Sequence, residues 1–315
     1  SFAEFGVGML FLKYSRDNER QADSLGVEYA TKTGYDGAAM GDFFQTLERL
    51  APASGAVLPD WFSTHPNPED RVEAVRAKAM TWKDRLQTND YRVERPGYLA
   101  EVDNIVYGSD PRQGYVDDNT FYHPQMRFSF SVPGGWAVQN TPARVQMVSE
   151  KNDAAIIFSL SEEETLDKAV NAFVKQEGVE VAGLNTLTVQ GLQARSLLCS
   201  VASGSDSVAV LSYFIEKEKR IFQFLGLAGE KDYAAYADEF RQTMTSFSHL
   251  SDRDRIEVEP ARLRIVRAAR SMTLSALLEA EGIAGEKQEE IAILNGMETS
   301  DTVEAGERVK VITGE

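Results

Sequence analysis

Glu19 and Asp23 stand four residues apart in the stretch Arg16-Asp17-Asn18-Glu19-Arg20-Gln21-Ala22-Asp23. The surrounding pattern predicts one helix from about Phe2 to Lys32, and at ~100° per residue both carboxylates fall on one side of it. They share an arc with Met9, Leu12 and Ala30. Lys13, Asp17, Arg20, Ser24 and Glu28 form a polar stripe, with Phe11, Ala22, Leu25 and Tyr29 on the opposite side. Two carboxylates facing an interior require a partner, because burying an unpaired charge is costly. A metal ion with a second acid behind it would serve, and so would a buried Arg or Lys. Spacing alone favours the ion pair and leaves the metal open.

His65 lies in Trp61-Phe62-Ser63-Thr64-His65-Pro66-Asn67-Pro68-Glu69-Asp70-Arg71. Two nearby prolines stiffen this loop, which makes it a good place from which to aim a side chain. Composition by itself favours a capping or surface histidine. Cys199 is the sole cysteine, so disulfides and a Cys-based zinc site are excluded. It sits in the apolar pattern Leu197-Leu198-Cys199-Ser200-Val201, as a core residue would. His123 and His249 are isolated and read as structural or surface residues.

Three kinds of element must position these groups. Residues 1–88 read as helical. Gly34 closes the first helix, a second runs from about Asp36 to Leu50 with Met40, Phe43, Phe44 and Leu47 on its apolar side, and Pro52 to Pro59 is a loop. Asn67 as N-cap and Pro68 at the first position open a third helix to about Leu86. Residues 89–114 read as a connector, with a boundary near Gly108-Ser109-Asp110-Pro111. Residues 115–250 alternate with period two from Met126 to Val132, and again at 136–139, 145–148, 154–160, 184–189, 193–201, 207–215 and 221–227. Helices are expected at 165–177 and 232–247. Residues 251–315 read as a small β-α-α-β domain whose first helix is capped by Thr273. The fold class is α+β: a helical part, an antiparallel sheet packed with helices as an α/β/α sandwich, and the tail.

The chain has 315 residues, enough for two or three domains, and a net charge of -16. That charge argues against nucleic acid as a partner, since phosphate binding needs a basic face. The apolar run from Val7 to Leu12 is too short to cross a bilayer, so no transmembrane segment is expected in this chain. It starts at Ser1 already within a helical pattern, which suggests a trimmed or processed product.

The stretch from Ser15 to Gly26, the Gly34-Tyr35-Asp36 turn, and Ser63-Thr64-His65-Pro66 with Arg71 closely resemble the M48 family of zinc metallopeptidases, over roughly residues 1–85. The resemblance implies that the helical part is a remnant of a zincin peptidase domain, with a polypeptide substrate and a periplasmic or secreted location. Glu19 would be the third zinc ligand, beside two histidines of a His-Glu-x-x-His helix. Asp23 would orient one of those histidines. His65 would stand near the metal, steadying the oxyanion or filling the open zinc position. Arg71 would support the site or bind the substrate backbone. No His-Glu-x-x-His occurs in this chain, whose three histidines are widely separated. A catalytic zinc needs three protein ligands and an open position. The parent protein is therefore expected to be the peptidase, and this chain alone to be inactive and to bind zinc weakly or not at all.

Phe128 to Trp136, Phe222 to Leu227 and the helix from Tyr236 to Phe247 look similar to the PsbP/Mog1 sandwich. Thr273-Leu274, Ile291 to Asn295 and Glu304 to Val309 are similar to LysM-type modules, which implies a cell-wall glycan as a ligand. This copy lacks a clear opening Gly-Asp and carries a charged second helix, so packing or docking is favoured for it. A non-catalytic binding module for a protein partner or glycan is the competing function.

Overall fold

The computed structural model describes residues 16–50, 69–88, 90–203 and 206–314. Of these, residues up to 108 and from 261 onward fall in one contact unit, and residues 109–260 in another.

The first unit opens with α1 (Arg16–Lys32), α2 (Ala39–Leu50), α3 (Glu69–Leu86) and α4 (Arg95–Val102). Gly34, at φ +86°, ends α1 in the left-handed conformation that a C′ glycine supplies, and Tyr35 N–H returns to the Ala30 carbonyl at 2.9 Å. Val27, Phe44, Val72, Val75 and Ala79 form the core of the three long helices. On α1 the buried line is Glu19, Asp23, Val27 and Thr31, one residue per turn. Leu25 and Tyr29 point outward, at 39% and 60% exposure, and Ala22 is exposed too. α2 likewise buries Phe44 and leaves Phe43 at 57% exposure, which corrects its expected place on the packed side. Adjacent residues on a helix are ~100° apart, so a narrow contact with α3 admits only one of the two. The expected start of the first helix, the loop at 52–59 and the Asn67-Pro68 cap lie outside the described residues. The connector region contains α4, and Arg92 N–H binds back to the Gly34 carbonyl at 2.9 Å.

The second unit holds two antiparallel sheets. β1 (Tyr115–Asp117), β2 (Thr120–His123) and β3 (Phe128–Ser131) belong to a four-stranded sheet. β4 (Ala137–Asn140), β5 (Arg144–Val148) and β6 (Ala154–Leu160) begin a seven-stranded one. After α5 (Leu166–Val174) come β7 (Val179–Val189), β8 (Leu192–Ser203), β9 (Asp206–Lys217) and β10 (Arg220–Gly229). α6 (Tyr233–Thr245), β11 (Ser248–His249) and the short α7 (Arg253–Ile256) close the unit. Strand order is β4-β5-β6-β10-β9-β8-β7 in the large sheet and β1-β2-β3-β11 in the small one. The strand expected from Met126 to Val132 is β3, Phe128–Ser131, and it lies in the small sheet rather than in one sheet with the later strands. β10 shows why the large sheet reads as nearly continuous apolar sequence. Ile221, Leu225 and Leu227 face α5, while Phe222, Phe224 and Ala228 face the core shared with α6 and β3. Gly226 lies on that second face, where an added Cβ would come within 2.6 Å of the Phe240 ring.

The tail returns to the first unit. β12 (Arg262–Arg267) pairs with β15 (Arg308–Thr313), and β13 (Met272–Thr273) with β14 (Thr302–Val303), around α8 (Leu274–Ala280) and α9 (Gly285–Asn295). Thr273 Oγ1 accepts the Ala276 N–H, the expected cap. Asn295 bridges α9 to β15, exchanging two 2.8 Å bonds with the Lys310 backbone. Arg49 of α2 forms ion pairs with Glu289 and Glu298. A backbone ladder joins residues 104–107 to 261–263: Asn104 N–H to Leu263 O, Leu263 N–H to Ile105 O, and Tyr107 N–H to Ala261 O. Among the described residues no helix is long and apolar enough to cross a membrane.

Candidate active site

Helical spacing puts Glu19 and Asp23 one turn apart on the buried line of α1, opposite α3. Arg71, on the facing side of α3, meets them both. It donates through Nε to Asp23 Oδ2 at 2.7 Å and through Nη2 to Asp23 Oδ1 at 2.6 Å. The same Nη2 stands 3.2 Å from Glu19 Oε2. The three side chains are only 9–15% exposed. The Phe44 ring lies 4.3 Å beneath the guanidinium carbon, so the cation rests between an aromatic face and two carboxylates. The bonds to Asp23 raise the Arg71 pKa further above its ordinary value, against the opposing effect of burial. A two-pronged fork of this kind fixes the plane of the Asp23 carboxylate as well as its charge.

The structure thus brings together Glu19, Asp23 and Arg71, and the ion pair favoured by spacing is present. His65 lies outside the described residues. Among the described residues no group of three His, Cys, Asp or Glu side chains could hold a metal. Glu19 offers a carboxylate oxygen, a donor of the type zinc accepts.

Beside the ion pair, a cavity of about 230 Å³ opens between α1 and α3. Arg20 and Ser24 line it from α1, with Ala74, Val75 and Lys78 from α3. The sequence reading missed this cavity. Its signal was the set Arg71, Ala74, Val75 and Lys78 at spacings of three and four, one face of a helix.

The other singled-out residues sit apart from this site. Cys199 is 2% exposed and burial pushes its thiol up to about 11, as an inert core residue requires. His123 is half-buried, its Nδ1 accepting the Met126 N–H at 3.2 Å. Burial pushes its pKa down. His249 is exposed.

Residues 2–79 match the sequence model described as Peptidase family M48. The chain is 39% identical over 97 residues to a Vibrio cholerae protein bearing the name beta-barrel assembly-enhancing protease, covering 30% of this chain and 20% of that protein. It is 29% identical over 109 residues to the beta-barrel assembly-enhancing protease of Yersinia pestis, covering 33% and 21%. The chain spans about a fifth of the length of these relatives. Among solved structures it is similar to cyanobacterial PsbP from Synechocystis, at 14% identity and a TM-score of 0.33, over 44% of this chain and 91% of that one. It is also similar to the Saccharomyces cerevisiae Ran-binding protein Mog1p, at 12% identity and a TM-score of 0.33, over 44% and 97%. Glu19, Asp23 and Arg71 all lie inside residues 2–79, the segment similar to Peptidase family M48.

Proposed function

We propose that this chain is a portion of a zinc-dependent metallopeptidase that hydrolyses peptide bonds. Its helical part over residues 1–88 would contribute Glu19 as a zinc ligand. The reading is carried by one observation: within the M48-matched segment, Glu19 and Asp23 share a buried helix face and a neighbouring helix orders them both through Arg71. Asp23 would hold a histidine of the metal set in orientation, with Arg71 fixing Asp23 in turn. His65 would stand at the metal's open side. Zinc, when bound, would bring the pKa of its water toward ~7. The chain alone lacks the two histidines and the general base, so it is inactive by itself. The parent would act on polypeptides, in the periplasm or as a secreted protein.

The tail's role is docking onto the helices, a reading supported by Arg49 with Glu289 and Glu298 and by Tyr107 with Glu290. The test is zinc content after dialysis, together with casein hydrolysis, for the parent protein, its Glu19→Gln variant and this chain alone. The expected result is about one zinc and activity in the parent, and loss of both in the variant and the chain. A variant that keeps zinc and activity, or a lone chain that holds one zinc, would overturn the reading.

A further inference from the structure

The large sheet ends at β7, a long edge with few of the usual guards. Strand order places β8 on one side of it and, among the described residues, no strand on the other. The opposite edge, β4, has four residues, and Asn140 at its end donates to the Gln113 and Gly114 carbonyls. β7 has eleven, Val179–Val189. Open strand edges are ordinarily protected by lysine, proline, shortness or a bulge. β7 carries no lysine and no proline, its one charge is Glu180, and its bulge lies between Val181 and Gly183. Beyond the bulge, residues 183–189 form a regular, uncharged stretch. Leu184 is 53% exposed, and Asn185, Thr186 and Thr188 are exposed with it.

The hairpin fixes which backbone groups of β7 face outward. Gln190 and Gly191, at φ +46° and +84°, form a two-residue loop closed by the pair Val189 and Leu192. Residues flanking such a loop exchange both hydrogen bonds, and bonded and non-bonded pairs alternate from there. Val189, Leu187, Asn185 and Gly183 therefore bond to β8, while the amides and carbonyls of Leu184, Thr186 and Thr188 point to the open side. These three are symmetric about Thr186. A second copy related by a two-fold axis at that residue sets Thr186 against Thr186, and Leu184 against Thr188 twice. Registers centred on Asn185 or Leu187 engage only two of the three, and one centred on Leu184 drives the bulge into the ladder. Each facing pair exchanges two bonds, about six in all. No charges oppose one another, and Thr–Thr pairs stabilise a sheet.

We propose that residues 183–189 pair antiparallel with the same segment of a second copy of this chain, joining two seven-stranded sheets across a two-fold axis at Thr186. The pairing involves the sheet unit alone and stands apart from the peptidase reading. Each copy carries a net charge of -16, so association strengthens as salt screens the repulsion.

The test is sedimentation velocity of the full 315-residue chain at low and at physiological salt, with cysteine cross-linking to read the register. A monomer–dimer equilibrium with a dissociation constant of ~10–100 μM is expected at physiological salt, as a short ladder without a large apolar core gives. Thr186→Glu sets two carboxylates against each other at the axis and should weaken the dimer at least ~tenfold. Within its own chain residue 186 faces Arg195, so the hairpin accommodates that glutamate. Thr186→Val should retain the dimer. Thr186→Cys brings two thiols together on Cα atoms ~5.5 Å apart, within disulfide reach, and should yield a covalent dimer on mild oxidation. Thr188→Cys, whose counterpart lies four residues along the strand at ~13 Å, should not. Cys199 is 2% exposed and does not compete. A dimer that survives Thr186→Glu in a chain with unaltered circular dichroism, or cross-linking that is equal at 186 and 188, would overturn the proposal. Monomers at every concentration up to ~200 μM in both salts would also overturn it and leave a strand from a different protein as the edge's occupant.

Discussion

Replacing Arg71 by Met tests the physical account of the site most directly. The substitution keeps a long apolar stem near Phe44 and removes the cation from two carboxylates that are 11% and 9% exposed. Two charge-assisted hydrogen bonds to Asp23 are lost, each worth ~1.5–3 kcal/mol. The contact to Glu19 and the Phe44 ring contact disappear with them. The sum lies near the ~3–5 kcal/mol typical when one partner of a buried ion pair is deleted. We expect ~4 kcal/mol of destabilisation, read as a lowered urea midpoint for the helical unit from Trp82 fluorescence in a background with Trp61 and Trp136 replaced by Phe. Most of that cost is leaving the buried Asp23 carboxylate without its cation rather than the loss of an attraction. The triple variant Arg71→Met, Glu19→Gln, Asp23→Asn should therefore recover more than half of it. Arg71→Lys keeps the charge and loses the fork, and should fall between. A single variant that costs less than ~1 kcal/mol, or a triple variant no more stable than the single one, would refute the reasoning.

Three further outcomes follow from the sheet unit. His123 is held with a lowered pKa by burial, below the unfolded value of ~6.5. Its stabilisation is complete above that pH and is lost as pH falls through the lowered folded value. The stability gap between the wild type and His123→Gln in urea titrations should accordingly narrow on acidification, by at most ~1.4 kcal/mol per pH unit. Cys199, with its thiol near 11, should resist Ellman's reagent at pH 8 in the native protein and react fully in denaturant. Gly226→Ala should cost ~1–3 kcal/mol, measured by thermal unfolding, because the new methyl meets Phe240 and Met244 below 3 Å.

Sequence periodicity carried the large elements. The strand expected at 154–160 is β6 residue for residue, and Thr273 caps α8 as its position implied. The small sheet escaped notice because β1 and β2 have three and four residues, too few for alternation to register. Their signal was the turn instead: Asp118 and Asn119 both have positive φ, as a two-residue hairpin loop demands. At the candidate site, the shared face of Glu19 and Asp23 followed from helical geometry alone. That Leu25 and Tyr29 would point outward did not, because periodicity says which residues share a side and not which side meets a neighbour. The Phe44 ring beneath Arg71 depends on how α2 crosses α3, which no local pattern encodes.

The backbone ladder between residues 104–107 and 261–263 bears on the order of events at the ribosome. Translation delivers the whole sheet unit before the helices that precede it have received their final partners. Arg49 must wait for Glu289, 240 positions later. If the intervening unit folds first, it draws its own ends together and shortens the effective loop that remains to be closed. A premature stop codon after position 260 would then release a finished sheet and an N-terminal helical cluster whose tail contacts can never form.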